Sequence, residues 1–387
     1  MNNQKILDSS PKIIATKNFS FTKGKPAKGC EYCVKGQKLV LFITGLCGMR
    51  CYYCPVSEKK IFKDVICANE WKIEKKEDLL EEARLTEAKG AGITGGDPLV
   101  VVDRVCDYIQ LLKKEFGTPF HIHLYTTLQL VNEERLQKLH SAGLDEIRFH
   151  FNIDDERWWP RIEIAQKYDW DIGAEIPCIP NKKKEILRLM EYLNGKVHFF
   201  NLNELELSER NTEEFKKRKL ETRDRFSYEI QGSYDLAQEI LRETRAHSYT
   251  VYFCTAKLKN QIQMKNRLKR RAKNIKKPFD RITSEGTLIR GALYLPELEP
   301  SFAYRKKLEA ANKEEYCVQL KQIRDKLVAH RIFDDKMVFV DEIKLRLIAD
   351  LKQIKKNATE LRKYGLIPAR VEEYPTRDAI EIEIDYL

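Results

Sequence analysis

The sequence has no apolar run approaching eighteen residues, which excludes a helix long enough to cross a bilayer. Its first residues, Met1-Asn2-Asn3-Gln4-Lys5, lack the apolar segment of a secretory leader, so a cytoplasmic protein with no membrane partner is expected. No segment repeats at a fixed spacing, which excludes solenoids and propellers. Acid is missing where base is concentrated: residues 255 to 281 hold eleven Lys or Arg against the single acid Asp280, and the whole chain carries +11. Almost all of the excess charge therefore sits in one segment. What is present is a chain of 387 residues, 42% hydrophobic, enough for one large domain with a smaller one appended. Its ten cysteines, in a compartment expected to be reducing, argue for metal or cluster ligation and against a disulfide frame. Oxygen sensitivity would follow.

Three of those cysteines stand together in Thr44-Gly45-Leu46-Cys47-Gly48-Met49-Arg50-Cys51-Tyr52-Tyr53-Cys54-Pro55, directly after the apolar run 38–43. A buried strand thus ends in a loop that aims the thiolates of Cys47, Cys51 and Cys54 at one point. Structural zinc sites usually draw paired cysteines from two places, whereas iron–sulfur clusters are fed by one compact loop, so the spacing favours iron. Three ligands for a four-iron cluster leave one iron open to a substrate or cofactor. Three buried core thiols are the bland alternative.

From Lys38 to about Ser208 apolar strands and amphipathic helices alternate six times. Strands are expected at 38–43, 90–94, 120–127, 146–152, 171–178 and 197–206. Helices are expected at 77–89, 102–116, 132–141, 157–168 and 182–193, with a further one at 234–247 beyond a charged linker or lid. The alternation predicts an α/β fold, a parallel sheet curled into a partial (β/α)6 TIM-like barrel with its chemistry at the C-terminal strand ends. The strand faces are polar for such a sheet. His121, His123 and Tyr125 share one face by period two, as do Arg148, His150 and Asn152, and Asn201 and Asn203, while Glu175 adds a carboxylate. Buried parallel strands normally read as Val, Ile and Leu, so these rows line a wet cavity or satisfy one another.

The cysteine spacing resembles the signature of the radical S-adenosylmethionine (radical SAM) superfamily, and Ile93-Thr94-Gly95-Gly96-Asp97-Pro98-Leu99 is similar to its Gly-Gly-acid-Pro turn. The resemblance implies an iron–sulfur oxidoreductase with an open barrel of radical SAM type. Cys47, Cys51 and Cys54 would hold a [4Fe-4S] cluster whose open iron chelates S-adenosyl-L-methionine. Gly95, Gly96, Asp97 and Pro98 would orient the methionine end, and Tyr53, Arg148, Glu175 and Asn201 would touch the adenosine. A flavodoxin- or ferredoxin-type donor would supply one electron, and the resulting 5′-deoxyadenosyl radical would abstract hydrogen from the substrate. No catalytic acid or base is required. Gly29-Cys30-Glu31-Tyr32-Cys33 and Asn201-Leu202-Asn203-Glu204-Leu205-Glu206, with the cluster loop, resemble an archaeal family related to pyruvate formate-lyase-activating enzymes.

Cys30 and Cys33 form a second paired-cysteine site, and two thiolates do not close a tetrahedral shell. His247 and Cys254 are the candidates to complete it around zinc, with a second Fe-S cluster or an idle thiol pair as the other readings. In the basic segment Lys257–Lys277, apolar Leu258, Ile262, Leu268, Ala272 and Ile275 recur near helical spacing, leaving a cationic face that suits tRNA or another RNA. A solvated surface or an anionic protein partner would also account for it. Residues 286–387 read as a small C-terminal α/β unit with no catalytic constellation, with strands expected at 287–295, 337–342, 367–373 and 379–385 and helices at 308–326 and 347–364. The expected division is therefore an N-terminal paired-cysteine segment 1–37, a core barrel 38–208, a linker and basic segment 209–285, and the accessory unit 286–387. The main functional expectation is modification of an RNA nucleotide; activation of a glycyl-radical enzyme or modification of a peptide is the alternative, and a non-enzymatic zinc/RNA-binding protein a distant one.

Overall fold

A computed structural model describes residues 12–244 and 247–387. The expected leader-free N-terminus and two positions of the helix expected at 234–247 lie partly outside the described residues. The chain divides into two compact units, Met1–Asn266 and Arg267–Leu387.

The first unit opens with a small hairpin, β1 (Ile14–Ala15) and β2 (Phe21–Lys23), and a short helix α1 (Lys28–Val34). β3 (Lys38–Phe42) leads through the cysteine loop to β4 (Cys67–Ala68), β5 (Trp71–Lys72) and α2 (Lys76–Leu85). Then follow β6 (Gly90–Thr94), α3 (Val102–Phe116), β7 (His121–Thr127), α4 (Glu133–Ala142), β8 (Glu146–His150), α5 (Ile162–Ala165), β9 (Asp171–Cys178), α6 (Lys183–Tyr192) and β10 (Phe199–Glu204). After α7 (Thr212–Lys217) and α8 (Ser233–Glu243) comes β11 (Thr250–Cys254), then α9 (Ala256–Leu258), a π-helical stretch and α10 (Lys265–Ile275), within which the division between units falls.

These strands form one sheet in the order β1-β2-β11-β10-β9-β8-β7-β6-β3-β4-β5. β3 and β6 to β11 are parallel, and β2 and β4 flank them antiparallel. The six expected strands are thus present as a partial barrel, with α2 to α6 and α8 supplying the apolar outer layer. On α3, Val102, Val105, Tyr108, Ile109 and Leu112 recur every three or four residues and are buried. α4 begins where the Asn132 side chain accepts from Arg135 N–H and ends at Gly143 in the left-handed region (φ +97°). The helix expected at 157–168 shrinks to a 3₁₀ turn and the short α5, because Pro160 lacks the N–H that a continuous helix needs. The segment expected to hold a linker, a helix at 234–247 and the basic stretch also contains β11, a seventh parallel strand, and the lead-in adds β2 to the same sheet.

The second unit contains β12 (Arg281–Ile282), β13 (Leu288–Tyr294), α11 (Tyr304–Ala310), α12 (Lys313–Ala329), β14 (Val338–Asp341), β15 (Arg346–Ala349), α13 (Leu351–Lys363), β16 (Ile367–Glu373) and β17 (Glu381–Tyr386). Its sheet is antiparallel, ordered β14-β15-β13-β16-β17 with β12 on β13. Leu293, Leu320, Leu327, Ile354 and Leu361 share its main core. β15 falls where a helix from 347 is expected: Leu347-Ile348-Ala349 is too short an apolar run for periodicity to tell strand from helix.

Candidate functional site

The cysteine loop leaves the C-terminal end of β3 and is stitched to the turn after β6. Gly96 N–H donates to Thr44 O and Asp97 N–H to Leu46 O, both at 2.8 Å. The main chains approach so closely that a Cβ on Gly96 would stand 2.3 Å from Leu46 O and 2.7 Å from Gly45 O. Glycine is required there by contact with backbone, which cannot yield as a side chain can. Asp97 is buried and its carboxylate is fully engaged: Thr126 Oγ1 donates at 2.6 Å, Thr127 Oγ1 at 2.7 Å and Leu99 N–H at 3.1 Å. It fastens the turn to β7.

Cys47, Cys51 and Cys54 are half-buried thiols on this loop. Met49 N–H donates to Cys47 Sγ at 3.4 Å, and burial pushes the Cys47 thiol up to about 11. Their sulfurs are not all within 4.8 Å of one another. Around one zinc ion, with bonds of 2.3 Å, thiolates would be about 3.8 Å apart. The wider donor set, with a sulfur that receives a backbone N–H, fits a cluster better than a single ion.

Below the loop a chain of polar groups runs down the barrel interior. Tyr53 OH and His150 Nε2 are 2.9 Å apart, and His150 Nδ1 is 3.1 Å from Glu175 O. A carbonyl only accepts, so Nδ1 carries the proton and Nε2 accepts from Tyr53. Burial holds the His150 pKa below its ordinary value, consistent with a neutral ring. Glu175 accepts from Arg148 Nη1 (2.8 Å), Asn201 Nδ2 and Asn203 Nδ2 (2.9 Å each). Burial alone would raise its pKa, but Arg148 and the two amides hold it below the ordinary glutamate value. Arg148 also reaches Glu146 Oε1 (2.5 Å), Tyr125 OH (3.1 Å) and Cys30 Sγ (3.4 Å). The polar strand faces therefore largely satisfy one another. Arg148, Glu175 and Asn201 form one network, and Tyr53 joins it to the cluster loop.

The segment after β10 packs on that loop, a role its weak pattern did not signal. Asn211 Nδ2 donates to Tyr53 O at 3.4 Å, Arg210 pairs with Glu58 at 3.0 Å, and Arg218 lies 4.1 Å over the Tyr52 ring. Farther along the same segment Phe226 is 80% exposed and Tyr228 64%.

Of the expected shell of Cys30, Cys33, His247 and Cys254, Cys30 and Cys254 pack in one small cluster, and His247 stands apart. His247 stacks on Tyr249 before β11 begins, whereas Cys254 ends that strand, and five extended residues span about 16 Å. Cys30 is buried on α1 with Arg148 and Asn201 at its sulfur. Nor is the Lys257–Lys277 segment an unbroken cationic face. Arg271 is 7% exposed and donates to Pro375 O, Lys259 pairs with Glu206, and Lys257 and Lys277 lie over the rings of Phe19 and Phe339. Among the described residues, no helix is long and apolar enough to cross a membrane.

A parallel partial barrel with a three-cysteine loop at its C-terminal rim defines a cluster-dependent radical enzyme, and residues 41–174 match the Radical SAM superfamily model. The chain belongs to the radical SAM superfamily, which implies a [4Fe-4S] cluster and S-adenosylmethionine. It is 40% identical over 369 residues, 93% of this chain and 92% of the other, to a Methanocaldococcus jannaschii protein described as "Putative glycyl-radical enzyme activating enzyme". Among solved structures it is similar to methylornithine synthase (TM-score 0.36, 12% identity, 45% of this chain and 54% of the other). It is also similar to coproporphyrinogen III oxidase from Escherichia coli (TM-score 0.32, 12% identity, 56% and 55%).

Proposed function

We propose that this radical SAM enzyme abstracts hydrogen from a polypeptide, and specifically that it installs a glycyl radical on a partner enzyme. The reading rests on the full-length identity to a protein described as an activating enzyme of that kind. Arg271 is buried against Pro375 O and Lys259 is paired with Glu206, which weakens the cationic face that had favoured RNA, and with the similarity to an activating enzyme this makes a protein substrate the leading reading.

Cys47, Cys51 and Cys54 would hold a [4Fe-4S] cluster, which when bound would supply the one-electron reductive chemistry on S-adenosylmethionine that radical hydrogen abstraction needs. The residues of this chain bind, orient and exclude water. The 95–98 turn presents main-chain groups to the methionine end, locked in place by Asp97 on Thr126 and Thr127. Tyr53, held by neutral His150, fixes the wall beside the last cluster cysteine. No proton transfer is needed, so the interior network of Glu175 and Arg148 serves rigidity and exclusion of water.

The test is anaerobic reconstitution with iron counted, followed by S-adenosylmethionine and dithionite in the presence of protein from cells grown on α-deuterated glycine or of RNA from cells grown in deuterium oxide. Deuterium should appear in 5′-deoxyadenosine with the protein fraction only. Transfer from the RNA fraction, or none from protein while S-adenosylmethionine is cleaved, would overturn the assignment. The variant with all three cluster cysteines replaced by Ala should bind no cluster and cleave no cofactor.

A further inference from the structure

At the opposite end of the barrel interior, the N-terminal strand ends bring together His121 and His123 of β7 and Glu146 of β8. All three are buried, and they are the one group of metal-ligating side chains among the described residues whose donor atoms all lie within 4.8 Å of one another. The register makes this meeting obligatory: His123 is paired with Glu146, and His121 precedes it by two residues on the same face. We propose that His121, His123 and Glu146 bind a divalent transition-metal ion of the zinc class, at a site separate from the cluster loop.

The distances are those of ligands sharing an ion. His121 Nε2 is 3.4 Å from Glu146 Oε2, and His123 Nδ1 is 3.5 Å from Glu146 Oε1. Donors bonded to one tetrahedral zinc at 2.0–2.1 Å are about 3.3 Å apart. Two imidazoles and a carboxylate are also a donor set that such metals take.

Neither ring nitrogen of His121 makes a hydrogen bond, although the ring is 3% exposed. Buried polar groups are rarely left so, and an ion would engage one of them. Lys38 and Arg148 are the competing cations. Arg148 Nε donates to Glu146 Oε1 at 2.5 Å, and Lys38 Nζ lies against His123 and donates to Gly29 O at 3.1 Å, but neither makes a hydrogen bond to His121, so the orphaned ring stays unexplained. A cleft of about 460 Å³ opens beside α1, lined by Lys28, Tyr32, Asp171 and His198 among others, and Asp171 is the register partner of Glu146.

The test uses reconstituted protein with its iron counted, equilibrated with Co²⁺ alone and desalted. One cobalt per chain should remain beyond the iron. That cobalt should fall by about tenfold or more in His121→Gln and in Glu146→Gln, with iron content and far-UV circular dichroism unchanged, and persist in the double variant Cys30→Ser/Cys33→Ser. Cobalt X-ray absorption on the wild type, which needs no variant, should show a nitrogen and oxygen shell. Wild type that retains no cobalt would make Lys38 the resident cation and overturn the proposal. So would a sulfur shell, loss of cobalt with the cysteines, or full retention in both the His121 and Glu146 variants.

Discussion

At the scale of single residues, two positions beside the cluster loop have constraints that do not depend on the substrate. A methyl group at Gly96 cannot fit between Leu46 O and Gly45 O without parting the two loops. Gly96→Ala should therefore destabilise the fold by about 1–3 kcal/mol, read by urea denaturation, and lower the iron bound after reconstitution. Asp97→Ala should cost about 2 kcal/mol, because the hydroxyls of Thr126 and Thr127 lose a buried acceptor, and should weaken binding of S-adenosylmethionine to the reconstituted protein. Glycine and an acid before proline could be read in the sequence as a turn with a ligand duty. That the acid is spent on holding the turn could not, because Thr126 and Thr127 are some thirty residues away and belong to a different strand.

Among elements, β8, β9 and β10 are tied across the barrel interior by Glu175, and this tie titrates. Its pKa in the folded protein lies below the ordinary glutamate value of 4.5, so the stabilisation is complete above that value and is lost as pH falls through the lower folded value. Acid unfolding of the wild type should therefore steepen below about pH 4.5, and Glu175→Gln should flatten that limb while lowering stability at neutral pH. Denaturant midpoints from pH 3 to 7 measure both, at about half-unit steps. The alternation of strands and helices was legible because each has its own period, and α3, β9 and β16 fall at their expected residues. α5 and β15 were not, one because Pro160 interrupts the helix and the other because a four-residue strand with three apolar residues carries no period.

For the molecule as a whole, the second unit is organised around a buried ionic network. Arg346 is fully buried and bonded to Asp341 Oδ2 (2.9 Å), Tyr294 OH (2.9 Å) and Glu373, which also pairs with Arg290 at 3.1 Å. Arg346→Met would leave Asp341 without its guanidinium partner and Glu373 with Arg290 alone, and should destabilise this unit by about 3–5 kcal/mol, seen as faster amide exchange in β13 and β16. By itself the sequence determined the cofactor chemistry and the order of the barrel, because three cysteines in one loop, a Gly-Gly-Asp-Pro turn and periodic strands are local patterns. Only the tertiary structure decided that β11 extends the sheet, that His247 and Cys254 stand at opposite ends of a strand, that Arg271 is interior, and that His121, His123 and Glu146 converge. Each of these depends on strand register and burial, which arise from contacts between distant parts of the chain and leave no mark on any one stretch of it.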